Sequence, residues 1–285
     1  MTFLLAAWLF AAAPMLDTAK IEKLTGLKGS LDAKSGVFKV SAPRSDLAVT
    51  VNGVHVTPGM GLTSWAAFHE AGKETMVMGD TVLAEDQVNL VMSAALDNGL
   101  EVTALHNHFL GDSPKVMFMH IGGHGKTDVL ATAVGKVFAT IKETSGGKGQ
   151  TMKADIDPAK SLLDPKKIEA ILGTRGDLKD GVYKVVIGRT VKMGSHEMSA
   201  AMGVNTWAAF AGSDDTAVVD GDFAMHESEL QDVLKALRAA HIEVVAIHQH
   251  MVGETPRTLF LHFWGIGKTE DLSRGLAAAV AKTKG

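Results

Sequence analysis

Apolar residues alternate with polar ones in several short stretches of the chain, and in others they return every three or four positions. Gly36-Val37-Phe38-Lys39-Val40 and Gly181-Val182-Tyr183-Lys184-Val185 read as short strands, and residues 65–68 and 75–78 predict a further strand pair. Val88, Val91, Met92 and Ala95 fall at helical spacing, as do Leu230, Val233, Leu234 and Leu237, so each of two helices buries one stripe. A β-hairpin is predicted from residues 101–108 and 116–121. A closing helix opens at Thr127 and another at Thr269, each an N-cap candidate followed by an acidic residue. Strands do not alternate strictly with helices, which points to an α+β fold with antiparallel sheets.

The elements come in two sets at a constant offset of 142 residues. Met60-Gly61 and Trp65-Ala66-Ala67-Phe68 return as Met202-Gly203 and Trp207-Ala208-Ala209-Phe210, Gly79-Asp80 as Gly221-Asp222, and Pro114 as Pro256. Ile21-Glu22 corresponds to Ile168-Glu169, so the first copy carries a few extra residues before Met60. The stretch ending in Gly146-Gly147-Lys148-Gly149-Gln150 reads as a flexible join. The chain therefore divides into a leader at 1–16, a first unit at 17–145, a linker at 146–150 and a second unit at 151–285. The tandem units are expected to be homologous, each with a histidine-bearing hairpin, and related by a pseudo-two-fold axis.

Histidine concentrates in the hairpins. Ala104-Leu105-His106-Asn107-His108 recurs as Ala246-Ile247-His248-Gln249-His250, and twelve residues after each stands another histidine, His120 or His262. Strand alternation puts Val102, Ala104, His106 and His108 on one face. A loop of residues 111–115 centred on Ser113 sets His106 opposite His120 and His108 diagonal to it; a loop centred on Thr255 pairs His248 with His262. Directly paired Cβ atoms lie roughly 5 Å apart and diagonal ones roughly 7–8 Å. Imidazoles at those separations can converge on one ion at about 2.0–2.1 Å from each nitrogen.

His106, His108 and His120, and in the second unit His248, His250 and His262, are thus the expected metal ligands. Zinc is the expected ion, and other divalent transition metals suit the same donors. His124 is the expected fourth ligand in unit one, brought back by a turn at Gly122-Gly123; unit two has Ile266 there and Trp264 in place of Gly122. The alternative is that these are buried structural histidines satisfied by neighbouring carbonyls.

Composition narrows the chemistry further. The 285 residues are 46% hydrophobic and 21% charged with a net charge of −4, a globular balance. No Lys/Arg cluster interleaves with aromatics, so a nucleic-acid partner is not expected, whereas a small-molecule ligand or substrate is. Cysteine is absent, which removes thiolate catalysis, Cys-ligated zinc, disulfides and a lipid-modified N-terminal cysteine. Residues 1–15 carry no charge and run through an apolar stretch into Ala11-Ala12-Ala13. They resemble a signal segment without the usual basic start, which predicts a periplasmic or secreted protein with no stable transmembrane span beyond that leader.

Other chemistry is less well supported. His248-Gln249-His250 with Glu254 fits the His-x-His-x₃-Glu spacing of cupins, yet the interrupting helices do not suit a jelly roll. His69-Glu70 offers a general base that unit two lacks, with Ala211-Gly212 in its place. His55 and His196 read as surface residues, and Trp65 and Trp207 as core. Ser30, Ser35 and Ser64 have no nucleophile-elbow context.

The segments Val102-Thr103-Ala104-Leu105-His106-Asn107-His108-Phe109-Leu110 with Met117-Phe118-Met119-His120-Ile121-Gly122-Gly123, their counterparts at residues 242–251 and 259–265, and Trp207-Ala208-Ala209-Phe210 followed by Gly221-Asp222-Phe223 resemble the LppY/LpqO family. The resemblance covers nearly all the chain after the leader. It implies a bacterial protein, often exported, of a family without assigned chemistry, and this chain departs from the lipoprotein members in lacking cysteine. Two functions follow from the residues themselves. One is a metal-dependent hydrolase in which bound water attacks an ester, lactone or amide, with Asp112, Glu70 or Glu254 as base. The other is a non-catalytic envelope module that binds metal or a small ligand.

Overall fold

The computed structural model describes residues 16–283, so the leader expected at 1–16 lies, apart from Leu16, outside the described residues. Twelve strands form one continuous sheet, where the repeat had suggested a sheet in each unit. Unit one supplies β1 (Gly29–Asp32), β2 (Val37–Pro43), β3 (Thr63–Ala71), β4 (Glu74–Ala84), β5 (Glu101–His106) and β6 (Val116–Gly125). Unit two supplies β7 (Asp177–Lys179), β8 (Val182–Gly188), β9 (Asn205–Gly212), β10 (Ala217–His226), β11 (Glu243–His248) and β12 (Thr258–Gly267). The order across the sheet is β1-β2-β3-β4-β6-β5-β11-β12-β10-β9-β8-β7. It is palindromic once each strand is exchanged for its counterpart in the other unit. The halves meet where β5 runs antiparallel to β11 with Leu105 opposite Ile247.

Among the described residues six α-helices cover one face of this sheet. They are α1 (Thr18–Thr25), α2 (Val88–Asp97), α3 (Thr127–Glu143), α4 (Pro165–Leu172), α5 (Leu230–Ala239) and α6 (Thr269–Val280). The helical stripes behave as their spacing requires: Val88, Val91, Met92 and Ala95 are buried on α2, and Leu230, Val233, Leu234 and Leu237 on α5. They enter one apolar cluster with Phe68, Leu105, Met119 and Ile121 from unit one and Phe210, Ile247, Leu261 and Phe263 from unit two. A single core therefore spans both copies. Asp17 and Asp164 cap α1 and α4 by accepting from the N–H groups of Lys20 and Lys166. The closing helices differ in detail from expectation: Thr127 and Thr269 are first helical residues, and Lys126 and Lys268 occupy the cap positions. The freed hydroxyls serve the fold, Thr127 Oγ1 lying 2.6 Å from Thr75 Oγ1 and Thr269 Oγ1 donating to Ser213 O at 2.9 Å.

Two side-chain amides bind the halves reciprocally. Asn89 on α2 accepts from Val244 N at 2.8 Å and donates to Val244 O at 3.3 Å. Its counterpart Gln231 on α5 accepts from Val102 N at 3.0 Å and donates to Val102 O at 2.9 Å. Each amide meets backbone groups at a β-bulge, between Val102 and Ala104 in β5 and between Val244 and Ala246 in β11. A bulge leaves ladder groups unpaired, and here the opposite unit satisfies them. The glycine-rich join is pinned as well, for Gly149 N donates to Asp86 Oδ2 at 3.0 Å and Gln150 N to Asp86 O at 2.9 Å. A Cβ at Gly149 would strike the Asp86 carbonyl, which fixes glycine there.

Among the described residues the other face of the sheet carries two small apolar clusters. Val82 and Phe118 pack with Val49, Val56 and Leu62, and Ala224 and Phe260 pack with Val191, Val204 and Met251. Between these clusters the face is open, and the histidines lie there.

Candidate metal centres

β5 brings His106 to this face, and β6 brings His120. The pairing differs from the expected one: Ala104 lies opposite His120, and Phe118 opposite His106. In unit two Ala246 lies opposite His262, and Phe260 opposite His248. The shift is two residues, so the histidines keep their common face, whereas a shift of one would have turned His120 inward. The bulge also removes Val102 from that face. Val102 is buried beside Leu105 in the helix-side core, while Ala104 and His106 are half-buried on the open side.

His108 and His250 stand beyond the strand ends and are held by stacking. His108 lies on the ring of Phe118 with centroids 3.4 Å apart and planes 4° from parallel, and His250 lies on Phe260 at 3.5 Å and 11°. The sequence reading missed these two phenylalanines as supports, although both recur at the 142-residue offset. The result is convergence of ring nitrogens. His106 Nε2 and His120 Nε2 are 3.0 Å apart, and so are His248 Nε2 and His250 Nε2. Two nitrogens on one tetrahedral zinc ion are about 3.3 Å apart, given bonds of about 2.0–2.1 Å. The ring of His262 stacks near His248 with centroids 4.6 Å apart, outside the group of ligand atoms that converge in unit two.

The partner that sequence reasoning failed to place is aspartate. Asp80 on β4 lies opposite His120, and Asp222 on β10 lies opposite His262. Both are buried, at 9% and 5% exposure, and Oδ1 of each has no hydrogen-bond partner. Asp222 Oδ2 is 3.3 Å from His250 Nε2, and its Oδ1 is 3.9 Å from His262 Nδ1. Asp222, His248 and His250 thus present ligand atoms within 4.8 Å of one another. The signal was the repeated Gly-Asp pair. Gly79 and Gly221 are required because a Cβ would meet the Trp65 or Trp207 carbonyl, and the aspartate beside each is buried although charged.

The electrostatics suit ligation. Burial pushes the Asp222 carboxyl up, against the pull of His250 and His262. Burial and the neighbouring imidazoles His262 and His250 hold His248 down at about 4, and burial with His106 likewise lowers His108. These rings are therefore neutral near pH 7 and keep a lone pair for a cation.

Several expected participants are elsewhere. His124 stays in β6 opposite Met76, because Gly122 and Gly123 continue the strand instead of turning, and its Nδ1 lies 2.9 Å from Glu74 Oε2. Four residues of strand place it about 13 Å beyond His120, so it is not a fourth ligand. Asp112 and Glu254 accept from Val116 N and Thr258 N, each at 2.9 Å, and hold the hairpin loops. That engagement and the helix-backed sheet exclude the cupin reading. His69, His55 and His196 are exposed and Glu70 sits at the far end of β3. Trp65 and Trp207 are not core residues. They are half-buried on the open face, opposite Asp80 and Asp222, with the Lys39 and Lys184 ammonium groups 4.2 and 4.1 Å from their ring centroids.

Residues 19–140 and 166–282 both match the family described as Domain of Unknown Function (DUF1259), and the chain belongs to that family, with its signature present twice. Comparison with curated proteins finds no match. Among solved structures, a trimeric bacterial microcompartment shell protein, PduB, is similar at 12% identity over 89% of each chain, with a TM-score of 0.22, too low to inform the fold.

Proposed function

Taking membership of the DUF1259 family as the premise, we propose that this chain is a metal-binding protein with one divalent transition-metal site in each unit. Asp80, His106, His108 and His120 form the first, and Asp222, His248, His250 and His262 the second. The observation that carries this reading is a buried Asp Oδ1 without a hydrogen-bond partner, facing a strand histidine in both copies and, in unit two, gathered with His248 and His250. A carboxylate oxygen out of water without a hydrogen bond is costly, and a cation among the imidazoles offsets that cost. Three nitrogens and one oxygen are a zinc donor set, and zinc is the ion we assign. The palindromic strand order supports relating the two units by a pseudo-two-fold axis through the Leu105–Ile247 pair.

His250 and His262 are 35% and 47% exposed at their side chains, so solvent reaches the site. An ion held there would lower the pKa of a bound water, the chemistry of ester, lactone or amide hydrolysis. A non-catalytic envelope module is the second reading, favoured because the carboxylates expected as base, Asp112 and Glu254, are engaged in their loops. We read the chain as an exported bacterial protein, periplasmic or secreted, on its uncharged N-terminal stretch and its resemblance to the LppY/LpqO family. Among the described residues no helix is long and apolar enough to cross a membrane. Elemental analysis of untagged protein tests the metal assignment. Turnover of a panel of chromogenic esters, with zinc and then with chelator, separates the two readings: zinc-dependent turnover supports the hydrolase, and zinc-loaded protein without turnover supports the module.

A further inference from the structure

The two sites are not remote from each other. Leu105 opposite Ile247 fixes the register between β5 and β11. One step either way puts Ala104 opposite His248 and His106 opposite Ala246. Across the open face one row therefore runs Asp80, His120, Ala104, His248, and the next runs Asp222, His262, Ala246, His106. Each row carries ligands from both sites. Neighbouring strands are about 4.8 Å apart, so the midpoint of His106 and His120 lies about 10 Å from that of His248 and His262.

What separates the sites is small. In this register only the methyl groups of Ala104 and Ala246 lie between the four strand-borne histidines, and both alanines are half-buried. The floor between the sites is thus low and apolar, with an imidazole pair at either end. The Phe118 and Phe260 plates hold His108 and His250 at the outer sides, so the gap is not filled from there.

We propose that the two centres act as a pair on one ligand with an anionic group at each end, a short linear dicarboxylate lying over Ala104 and Ala246. The proposal rests on the metal assignment above. Ions seated between the two strand-borne histidine pairs are about 10 Å apart and, each about 2 Å from a bound oxygen, leave about 6 Å between those oxygens. That is the span of the outer oxygens of an extended four-carbon dicarboxylate. The apolar floor meets the methylene chain, and two cationic ends exclude a ligand with a single carboxylate from the same gain. The second contact becomes intramolecular, which raises affinity without any new kind of interaction.

The test is calorimetry on the full chain, with zinc content measured on the same sample and with succinate and acetate as probes. At two zinc per chain, one succinate is expected to bind per chain, about tenfold or more tighter than acetate, which binds twice. Asp222→Asn, which removes one site, should reduce succinate to the acetate level. Ala246→Leu should do the same while retaining both ions. In copper-substituted wild-type protein, two ions about 10 Å apart should broaden each other's electron paramagnetic resonance. Two succinates per chain, affinity equal to that of acetate, or magnetically isolated copper ions at full occupancy would overturn the pairing and leave the metal sites standing. A chain that takes up no zinc overturns both.

Discussion

The two units solve the same problem with different neighbours, and their differences separate the site from its surroundings. Unit one has Gly122 and His124 where unit two has Trp264 and Ile266, and Met78 where unit two has Asp220. Its closest nitrogen contact joins His106 to His120, whereas in unit two it joins His248 to His250. Retained in both are the buried aspartate, the three histidines, the phenylalanine plate, the alanine at the junction and the bulge. An internal duplication is a comparison made within one molecule, and what survives it here is a buried aspartate facing a cluster of histidines.

Zinc should break this symmetry most visibly. At a thousandfold excess over its dissociation constant each site should add about 4 kcal/mol to stability. The double variant Asp80→Asn/Asp222→Asn should lose that gain in a thermal melt, and each single variant part of it. Unequal losses would rank the two sites, and unit two, with Asp222 already 3.3 Å from His250, is expected to bind more tightly.

Next in size is the shared core. Leu234→Ala opens a cavity in the cluster that spans both copies, at a cost of about 2–5 kcal/mol. Urea unfolding should remain a single transition, because the cluster gives neither half a core of its own. Two transitions would show the halves to be independent.

A smaller effect tests the junction. Asn89→Ala leaves the N–H and C=O of Val244 without the partners they have now, and Gln231→Ala does the same to Val102. Each should cost about 1–3 kcal/mol, and the two costs should agree within about 1 kcal/mol if the junction is symmetric. Chemical denaturation of the two variants side by side measures this. The smallest effect belongs to His124→Ala. Its contact is an exposed pair with Glu74, so metal content and melting temperature should match wild type.

Much of this was legible in the chain because it depends on local period. The stripes on α2 and α5 and the common face of His106 and His120 follow from spacing alone. The bulge did not, because the amides that bond the backbone of Val102 and Val244 beside it reach in from the opposite unit. Fusion of two sheets into one was hidden for a similar reason: it turns on a single pair, Leu105 with Ile247, that joins strands distant in sequence. Asp80 and Asp222 were visible as a repeated pair, yet only the β4–β6 and β10–β12 registers show that they face histidine. His124 was misplaced because glycine permits a turn without imposing one. Trp65 and Trp207 were misassigned because an aromatic ring on a half-buried face, covered by a lysine, has the same sequence signature as one in a core.

The most direct test of the account is the metal content of the untagged protein, wild type beside Asp222→Asn, after dialysis against zinc near neutral pH. The account predicts two equivalents per chain in the wild type and one in the variant. A wild-type chain without tightly bound metal, or a variant with the wild-type content, would contradict it and return the histidines to the role of buried structural residues.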